Sequence, residues 1–244
     1  MNVLGIIPAR YLSARLEGKP LADICGKPMI QRVYEQAKIA LGNVLVATDD
    51  QRIVDAVKAF GGQVTMTTAE HTTGTSRCLE AYQNSGLEVD VIVNIQGDEP
   101  LLEPQQIKEI VNCFDDKTVD FATLVFPNAE ELRDGNGVYV TVDKDLNASW
   151  FSRAVIPYIR GIKRNEWDKA HQFYKHVGMY AYTPKALVEF SKMGQTTCEK
   201  AESLEQLRWL ENGNRIRVGI TKHRTIAVDT AEDLERVRQL IQQK

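Results

Sequence analysis

Residues 3–20 of the chain, VLGIIPARYLSARLEGKP, join an apolar run to a basic loop. The run at 3–7 ends at a proline and is typical of a strand buried in a parallel sheet. The loop after it contains one glycine and three cations. Ligands of open parallel sheets bind at the carboxyl ends of the strands, which is where this loop would lie. The stretch therefore predicts a first strand followed directly by a ligand-binding loop.

Outward from this stretch, apolar runs alternate with segments of helical spacing as far as residue 126. We predict strands and helices in turn at 3–7, 28–40, 43–47, 50–60, 63–66, 75–84, 89–95, from 104 onward, and at 121–126. Such alternation indicates the α/β class, with a mostly parallel sheet that carries helices on both faces.

After about residue 127 the pattern changes, because strand-like segments follow each other without full helices between them. The segment 138–143 alternates as a strand does, and 173–182 is rich in aromatic residues. We therefore expect an antiparallel insertion packed on the main sheet. The earlier pattern returns with a helix, a strand and a helix, at 199–211, 215–220 and 231–243. The predicted organisation is one domain over all 244 residues, made of a main part and an insertion: 1–126 with 199–244, and 127–198.

The composition excludes several classes of protein. A net charge of −3 argues against binding to nucleic acid. No segment approaches the roughly 18 consecutive apolar residues that a membrane span needs, and the first eight residues lack the features of a signal peptide. The four cysteines are scattered without a C-x-x-C pair, which argues against a zinc site and a disulfide framework. We expect a cytoplasmic globular protein.

The first loop is suited to hold phosphate. Within twelve residues of the first strand come Arg10, Arg15, Gly18 and Lys19. A glycine lets backbone amides approach phosphate oxygens, and the cations neutralise their charge. The spacing matches neither common nucleotide-binding glycine motif, so a solvated basic loop remains the alternative.

Two carboxylates follow apolar runs and are candidate metal ligands. Asp98 comes just after the most hydrophobic predicted strand, and Asp229 follows a short apolar run and precedes a helix. Carboxylates at strand ends can hold Mg²⁺, which in turn binds phosphate oxygens. The alternative for Asp98 is a turn residue or a helix cap. The alternative for Asp229 is an ordinary helix start, because both Asp229 and Thr230 are common N-cap residues. The sequence does not show whether the two meet.

The segment YKHVGMY at 174–180 is a further candidate. On a strand, alternate residues share a face, so His176 and Tyr180 would point the same way. Their shared orientation makes the pair a candidate for a site, and a packed aromatic strand is the alternative that the pattern alone favours.

Taken together and in order, these segments resemble the bacterial 3-deoxy-manno-octulosonate (Kdo) cytidylyltransferases, the CMP-Kdo synthetases. The resemblance runs from end to end. It is carried by GIIPARY at 5–11 with GKPL at 18–21, VATDD at 46–50, HTTGTSR at 71–77, NIQGDEP at 94–100, FSR at 151–153 with IP at 156–157, KHVGMY at 175–180, ESLEQLR at 202–208 and VDT at 228–230.

The resemblance implies a Rossmann-like nucleotide-diphospho-sugar transferase fold and a homodimer joined through the insertion, which would also bind the sugar. It implies transfer of CMP from CTP to Kdo, an acidic 2-keto-3-deoxy sugar, with Mg²⁺ as cofactor and pyrophosphate as leaving group. The product would serve lipopolysaccharide biosynthesis.

The resemblance also implies roles for individual residues. The phosphates of CTP would be held by Arg10, Ser13, Arg15 and Lys19. The base and ribose would be bordered by Thr73, Gly74, Thr75 and Gln96. Mg²⁺ would be bound by Asp98 and Asp229, which with Arg10 and Lys19 form the catalytic set. The sugar site would be lined by Arg77, Arg153, His176, Tyr180, Glu205 and Gln206.

The chain departs from the family pattern at a few positions. The family's usual residues are replaced by Ala14, Glu17, Ser76 and Tyr139. Two alternatives therefore stay open: the same chemistry on 8-amino-Kdo or a nonulosonate, and a degenerate, non-catalytic nucleotide-binding paralogue.

Tyr139 is the departure with a direct hypothesis, because the family has a lysine there. If that lysine acts in the site, Tyr139→Lys should raise the rate with Kdo through one added charge-assisted hydrogen bond. The alternative is that Tyr139 faces solvent or a dimer partner.

Overall fold

The structure, a computed structural model, describes residues 1–12, 16–128, 132–135, 137–224 and 226–243. The strands are β1 Val3–Ala9, β2 Asp23–Ile24, β3 Lys27–Pro28, β4 Asn43–Thr48, β5 Val64–Met66, β6 Val91–Asn94, β7 Phe121–Asn128, β8 Tyr139–Val142, β9 Ala148–Ser152, β10 Phe173–Tyr182 and β11 Arg217–Ile220. The helices are α1 Met29–Ala40, α2 Gln51–Ala59, α3 Gly74–Ser85, α4 Pro104–Asn112, α5 Trp167–Ala170, α6 Pro184–Lys192, α7 Thr197–Glu202, α8 Leu207–Glu211 and α9 Ala231–Gln242. The chain divides into a first unit, Met1–Lys108 with Thr225–Lys244, and a second unit, Glu109–Arg224.

Parallel strands in the order β6-β1-β4-β5 form the sheet of the first unit. The central strand is β1, in which Ile6 and Ile7 are fully buried. Pairing with β6 ends at Ile6, while pairing with β4 continues through Pro8 to Ala9. Proline cannot donate to a ladder, so it is tolerated here because one side of the strand has already lost its partner. The predicted first strand and its parallel neighbours are thus confirmed.

Residues from both ends of the first unit share one hydrophobic cluster. Ile24 and Met29 pack with Val228, Leu234 and Val237, which belong to α9 and the segment before it. Thr230 caps α9, because its side chain accepts from the backbone N–H of Asp233 and the Asp233 carboxylate accepts in return. This packing fixes residues 226–243 against the start of the chain.

The second unit contains the antiparallel part of the protein. Its strands lie in the order β9-β8-β10-β7-β11, and β10 is antiparallel to both β8 and β7. Only the β7–β11 pair of this unit is parallel among the strands that the structure describes. The α/β class with a mostly parallel sheet and an antiparallel part is therefore confirmed.

The second unit, Glu109–Arg224, extends further in both directions than the predicted insertion, 127–198. The reason is that the ten-residue strand β10 pairs along the whole of β7, which joins β7 to the antiparallel part. Strand β11 then adds to the other edge of β7. The sequence pattern marks where helices stop separating strands, and that point lies after β7.

The pairing of β10 with β7 contains an irregularity that matters below. The register shifts between Val177 and Tyr180, so that Val177 lies opposite Leu124 and Tyr180 lies opposite Thr123. Between these two pairs β10 contains two additional residues, Gly178 and Met179, which makes a bulge. No helix within the described residues is long and apolar enough to span a membrane.

Candidate active site

A cavity of about 390 Å³ opens at the carboxyl ends of β1 and β6 in the first unit. It is lined by Pro8, Ala9, Arg10, Leu12, Lys19, Pro20, Thr73, Gly74, Arg77, Gln96, Gly97, Asp98 and Asp229. The structure therefore brings together most of the residues that the sequence predicts for nucleotide and metal binding. Thr75 is buried in the first turn of α3. Ser13 and Arg15 lie outside the described residues, and their roles stay predictions.

The loop after β1 closes on itself at Gly18. The backbone N–H of Gly18 donates to the carbonyl of Tyr11 at 2.9 Å. Gly18 has φ +67°, in the left-handed region that favours glycine, and a Cβ there would lie 3.2 Å from the Tyr11 ring. The turn delivers Lys19 to the cavity at the start of a short 3₁₀ turn, Lys19–Leu21.

A second contact to this loop comes from Arg52, which no sequence pattern singles out. The guanidinium carbon of Arg52 lies 3.2 Å from the centre of the Tyr11 ring. The same guanidinium donates to both carboxylate oxygens of Asp50, at 2.9 and 2.6 Å, and holds the pKa of Asp50 below its ordinary value. Asp50 also caps α2. Cation–π stacking therefore links the loop to α2, through residues that no sequence spacing connects.

Lys19 lies between the two predicted metal ligands. Its ammonium is 2.7 Å from a carboxylate oxygen of Asp98 and 3.4 Å from one of Asp229. The backbone supports the arrangement, because the N–H of Val228 donates to the carbonyl of Asp98 at 2.9 Å. The two carboxylates thus meet around one cation, which the sequence left open. Thr230 caps α9, so the helix start of the alternative is present, while Asp229 itself lies beside Lys19.

The donor set around Lys19 suits a hard divalent cation. The carboxylates of Asp98 and Asp229 offer anionic oxygens, which Mg²⁺ prefers. Among the described residues, no group of three or more His, Cys, Asp or Glu side chains could hold a metal. Mg²⁺ in nucleotide sites usually takes one or two carboxylates and completes its coordination with phosphates and water. The pair therefore fits a cation that arrives together with a nucleotide.

The opposite wall of the cavity begins at the N-terminus of α3. Thr73 caps this helix by accepting from the backbone N–H of Ser76 at 3.2 Å. The Ser76 hydroxyl donates to the carbonyl of Thr73 at 3.1 Å. Ser76, one of the departures from the family pattern, therefore adds a hydrogen bond to the first turn of α3. Gly97 allows the end of β6 to approach β1 closely, because a Cβ there would lie 2.9 Å from the carbonyl oxygen of Pro8. Pro8 and Gly97 both line the cavity, so this close approach shapes its wall.

Arg77 lines the cavity but is engaged within the protein. Its side chain is 1% exposed. One guanidinium nitrogen donates to Asp49 at 2.8 Å and another donates to the hydroxyl of Thr67 at 2.5 Å. These contacts hold α3 to the ends of neighbouring strands. The predicted contact of Arg77 with the sugar stays a prediction, and the contacts described here are structural.

A polar cluster in the second unit contains other residues predicted for the sugar. The hydroxyl of Tyr180 donates to the side-chain oxygen of Gln206 at 3.0 Å. Burial, with Glu205 nearby, raises the pKa of Tyr180, so the phenol stays protonated. Burial lowers the pKa of His176 to about 3, so the ring is neutral near pH 7. Tyr180 also packs edge-on against Phe121 at 5.9 Å, so the aromatic strand of the alternative is present together with a polar site.

Gln206 has an unused donor in this cluster. The residue is 2% exposed, and its side-chain nitrogen has no hydrogen-bond partner within the part of the chain that the structure describes. A buried amide without a partner costs about 1–3 kcal/mol. A ligand that accepts a hydrogen bond here would remove that cost.

Arg153 is held by Glu202, a residue of the ESLEQLR segment at 202–208 for which the sequence predicts no role. The Glu202 carboxylate accepts from the backbone N–H of Arg153 at 2.9 Å and from the hydroxyl of Ser152 at 2.6 Å. The Arg153 guanidinium donates to the carbonyl of Glu202 at 2.7 Å and to that of Ser203 at 3.4 Å. The exposed remainder of this guanidinium is suited to an anion, as predicted for the sugar carboxylate.

Tyr139 is neither an active-site residue nor a solvent-facing one, which corrects both hypotheses about it. It is fully buried in a cluster with Leu132, Val155, Trp167 and Phe173. Its hydroxyl accepts from the backbone N–H of Arg133 at 3.1 Å and donates to the carbonyl of the same residue at 3.3 Å. A lysine here would place an ammonium in an apolar cluster, so Tyr139→Lys is not expected to improve catalysis.

Tyr139→Phe tests the core role of this residue. We expect the free energy of unfolding to fall by about 1 kcal/mol, because the ring still fills the cluster while one hydroxyl with two backbone contacts is lost. Urea denaturation would measure the change, and rates with all substrates should stay within twofold. A rate change of tenfold without loss of stability would return Tyr139 to the active site.

Comparisons with known proteins identify the family of this chain. The sequence model of a family described as cytidylyltransferase matches residues 4–216. The chain is 56% identical to the 3-deoxy-manno-octulosonate cytidylyltransferase of Parabacteroides distasonis, over 97% of this chain and 96% of the relative. It is 47% identical to the 8-amino-3,8-dideoxy-manno-octulosonate cytidylyltransferase of Shewanella piezotolerans, over 96% of each chain. A solved structure of CMP:2-keto-3-deoxy-manno-octonic acid synthetase complexed with CTP superposes with a TM-score of 0.92 at 41% identity, over 100% of this chain and 99% of the other.

Proposed function

This chain belongs to the cytidylyltransferase family, among relatives that act on 3-deoxy-manno-octulosonate, and from that premise we propose that it transfers CMP from CTP to Kdo. In the reaction the anomeric hydroxyl oxygen of the sugar attacks the α-phosphorus of CTP. The bond between the α-phosphorus and the oxygen that bridges to the β-phosphate breaks, the hydroxyl proton is lost, and pyrophosphate leaves. The observation that carries the proposal is the meeting of Lys19, Asp98 and Asp229 in one cavity beside the loop after β1.

The cations of the cavity supply what phosphoryl transfer needs most. Its catalysis is mainly positioning of the reacting groups and neutralisation of charge. Arg10 and Lys19 line the cavity and would bind the triphosphate, with Ser13 and Arg15 as further predicted contacts. Thr73, Gly74 and Gln96 line the same cavity and would border the base and ribose.

Mg²⁺ is the proposed cofactor, and Asp98 and Asp229 are the residues that would hold it. When bound, the ion neutralises phosphate charge during the transfer. Lys19 is already close to both carboxylates, so the site is built to stabilise positive charge there. The two carboxylates then keep Lys19 oriented toward the cavity.

The polar cluster of the second unit is proposed to bind the sugar. Arg153 presents a guanidinium suited to the sugar carboxylate, because its planar fork can contact both oxygens. His176, Tyr180 and Gln206 are uncharged hydrogen-bonding groups, which suits a molecule rich in hydroxyls. Glu205, Arg77, the homodimer through the insertion and the cytoplasmic location remain predictions.

A pyrophosphate-release assay tests the function. Purified protein with CTP, Mg²⁺ and Kdo should release pyrophosphate, and omission of Kdo should abolish the release. The same assay with 8-amino-Kdo and a nonulosonate separates the acidic sugars, the first being of interest because of the relative in Shewanella piezotolerans. Binding of CTP in calorimetry with no release on any sugar would support the non-catalytic paralogue instead.

The chain should discriminate between nucleotides. We expect kcat/KM with CTP to exceed that with UTP, ATP or GTP by at least about tenfold, because polar groups placed for one base are left unpaired by another. Pyrophosphate release at fixed Kdo and varied nucleotide measures the ratio. Equal use of UTP or GTP would place the chain with transferases of another nucleotide.

A further inference from the structure

The hydroxyl of Thr123 is in contact with three polar atoms of β10. It lies 2.9 Å from the side-chain Nε2 of His176, 2.8 Å from the carbonyl oxygen of Met179 and 3.4 Å from that of Val177. Thr123 is fully buried on β7. The bulge in β10 allows these contacts, because Val177 is the last residue before the register shift and Met179 lies within the bulge. Neither Thr123 nor this contact was singled out by the sequence.

The direction of these hydrogen bonds follows from counting protons. A hydroxyl has one proton to donate, and a carbonyl oxygen can only accept. If Thr123 donated to His176, its oxygen would face two carbonyl oxygens at close range with no proton between them. The proton therefore points toward the nearer carbonyl, that of Met179, and the lone pairs of the hydroxyl face the imidazole. In this arrangement Thr123 accepts from His176, so Nε2 of the ring carries the proton.

We propose that Thr123 is a positioning residue that holds His176 in the Nε2–H tautomer, so that Nδ1 accepts a hydrogen bond from a hydroxyl group of the sugar. A neutral imidazole donates from one nitrogen and accepts with the other, so fixing one role fixes the other. The contact with Thr123 is made by Nε2, which leaves Nδ1 as the ring nitrogen for a ligand. The part of the proposal that concerns the sugar rests on the proposed function, whereas the part that concerns the tautomer does not.

The surroundings of His176 keep the ring in place and uncharged. The ring packs edge-on against Phe151, with 5.3 Å between ring centres. It also packs against Tyr180 at the same distance, with the two rings tilted by 40°. Burial lowers the pKa of His176, so the ring is neutral near pH 7. One ring nitrogen therefore carries a proton and donates, and the other accepts. The contacts of Thr123 then decide which nitrogen is available to a ligand.

The consequence is a rule for the ligand. A group that meets Nδ1 has to donate, which a sugar hydroxyl does and a carboxylate or ether oxygen does not. The sugar carboxylate would then be bound by Arg153. His176 would distinguish a hydroxyl group, which can donate a hydrogen bond, from an oxygen that can only accept one. The bulge in β10 thus acts as a specificity element, because it creates the acceptor that Thr123 needs.

NMR of the ligand-free protein tests the tautomer directly. The chain has four histidines, and long-range ¹H–¹⁵N spectra of histidine-labelled protein at pH 7 separate protonated from unprotonated ring nitrogens. Comparison with His176→Gln assigns the signals of His176. We expect a protonated Nε2 and an unprotonated Nδ1. The opposite pattern would overturn the proposal whether or not the protein proves to use Kdo, and this measurement needs no variant of Thr123.

Kinetics test the positioning role. Thr123→Val keeps the shape of the side chain and removes the hydroxyl, and we expect KM for Kdo to rise roughly fivefold to tenfold while KM for CTP stays unchanged. Thr123→Ser restores the hydroxyl and should restore KM for Kdo. The control is Thr141→Val, which makes the same change at a half-buried position on β8 and should alter neither constant. An unchanged KM for Kdo in Thr123→Val, or equal rises in both constants, would contradict the proposal.

If wild-type protein shows the expected tautomer but uses no acidic sugar, the proposed function fails and the assignment of the tautomer stands. If it uses Kdo and shows the opposite tautomer, the proposed function stands and the inference about Thr123 fails. The two results are therefore distinguishable.

Discussion

Asp98→Asn is expected to lower kcat at least about 100-fold, a change of roughly 2.7 kcal/mol in the barrier. The amide has nearly the same shape but lacks the negative charge that would hold Mg²⁺. It also removes the closer of the two carboxylates that face Lys19, at 2.7 Å. Pyrophosphate release with saturating CTP, Kdo and Mg²⁺ measures the effect.

The fold should survive this substitution. Val228 donates to the backbone carbonyl of Asp98, which the change leaves in place. Circular dichroism and thermal unfolding check this. The matched control is Asp145→Asn, which changes an exposed carboxylate paired with its neighbour Lys144 in the second unit, and its kcat should stay within twofold. A kcat for Asp98→Asn above about a tenth of the wild-type value would show that Asp98 is not the essential metal ligand.

Arg77→Met should reduce the free energy of unfolding by about 3–5 kcal/mol, because it leaves the partner charge of a buried ion pair without compensation. Arg77 is 1% exposed and Asp49 is 17% exposed, so water replaces the lost contact poorly. The hydroxyl of Thr67 loses its donor as well. Urea denaturation of the two proteins measures the difference.

Two further variants make the test of Arg77 specific. Asp49→Asn combined with Arg77→Met should cost less than the sum of the single changes, because the uncompensated charge is then absent. Arg217→Met breaks a more exposed pair, with side chains 25% and 42% exposed, and should cost no more than about 1 kcal/mol. If Arg77→Met keeps wild-type stability but raises KM for Kdo, Arg77 is a sugar ligand and not a structural residue.

The parts of the site that sequence could predict are those governed by local pattern. An apolar run before a basic loop placed Lys19 correctly, because the carboxyl ends of parallel strands face one edge of a sheet. The same rule put Asp98 in the cavity. The same pattern, an apolar run before a carboxylate, identified Asp229 as a candidate metal ligand. That Asp229 lies beside Lys19 follows only from the structure, in which α9 packs against the start of the chain.

The parts that sequence could not predict depend on which face of an element is covered. Alternation in β8 identifies Tyr139 as a strand residue, but its burial requires Val155, Trp167 and Phe173 to fold over it from distant segments. The stacking of Arg52 on Tyr11 joins a loop to a helix with no spacing rule between them. The contacts of Thr123 depend on the bulge in β10. Two additional residues leave the alternation of side chains between the two faces of a strand unchanged, so the sequence pattern does not reveal them.

The backbone hydrogen bond from Val228 to Asp98 has a consequence for the order of assembly during synthesis. A ribosome delivers Lys19 and Asp98 long before it delivers residues 226–243, so a nascent chain holds one carboxylate and the lysine without the second carboxylate. The cluster that unites Ile24 and Met29 with Val237 is equally incomplete at that stage. Contacts between distant parts of a chain form slowly, because a large loop must close first. We therefore expect the cavity to be among the last features to form, because it lacks Asp229 until the segment before α9 packs against the start of the chain.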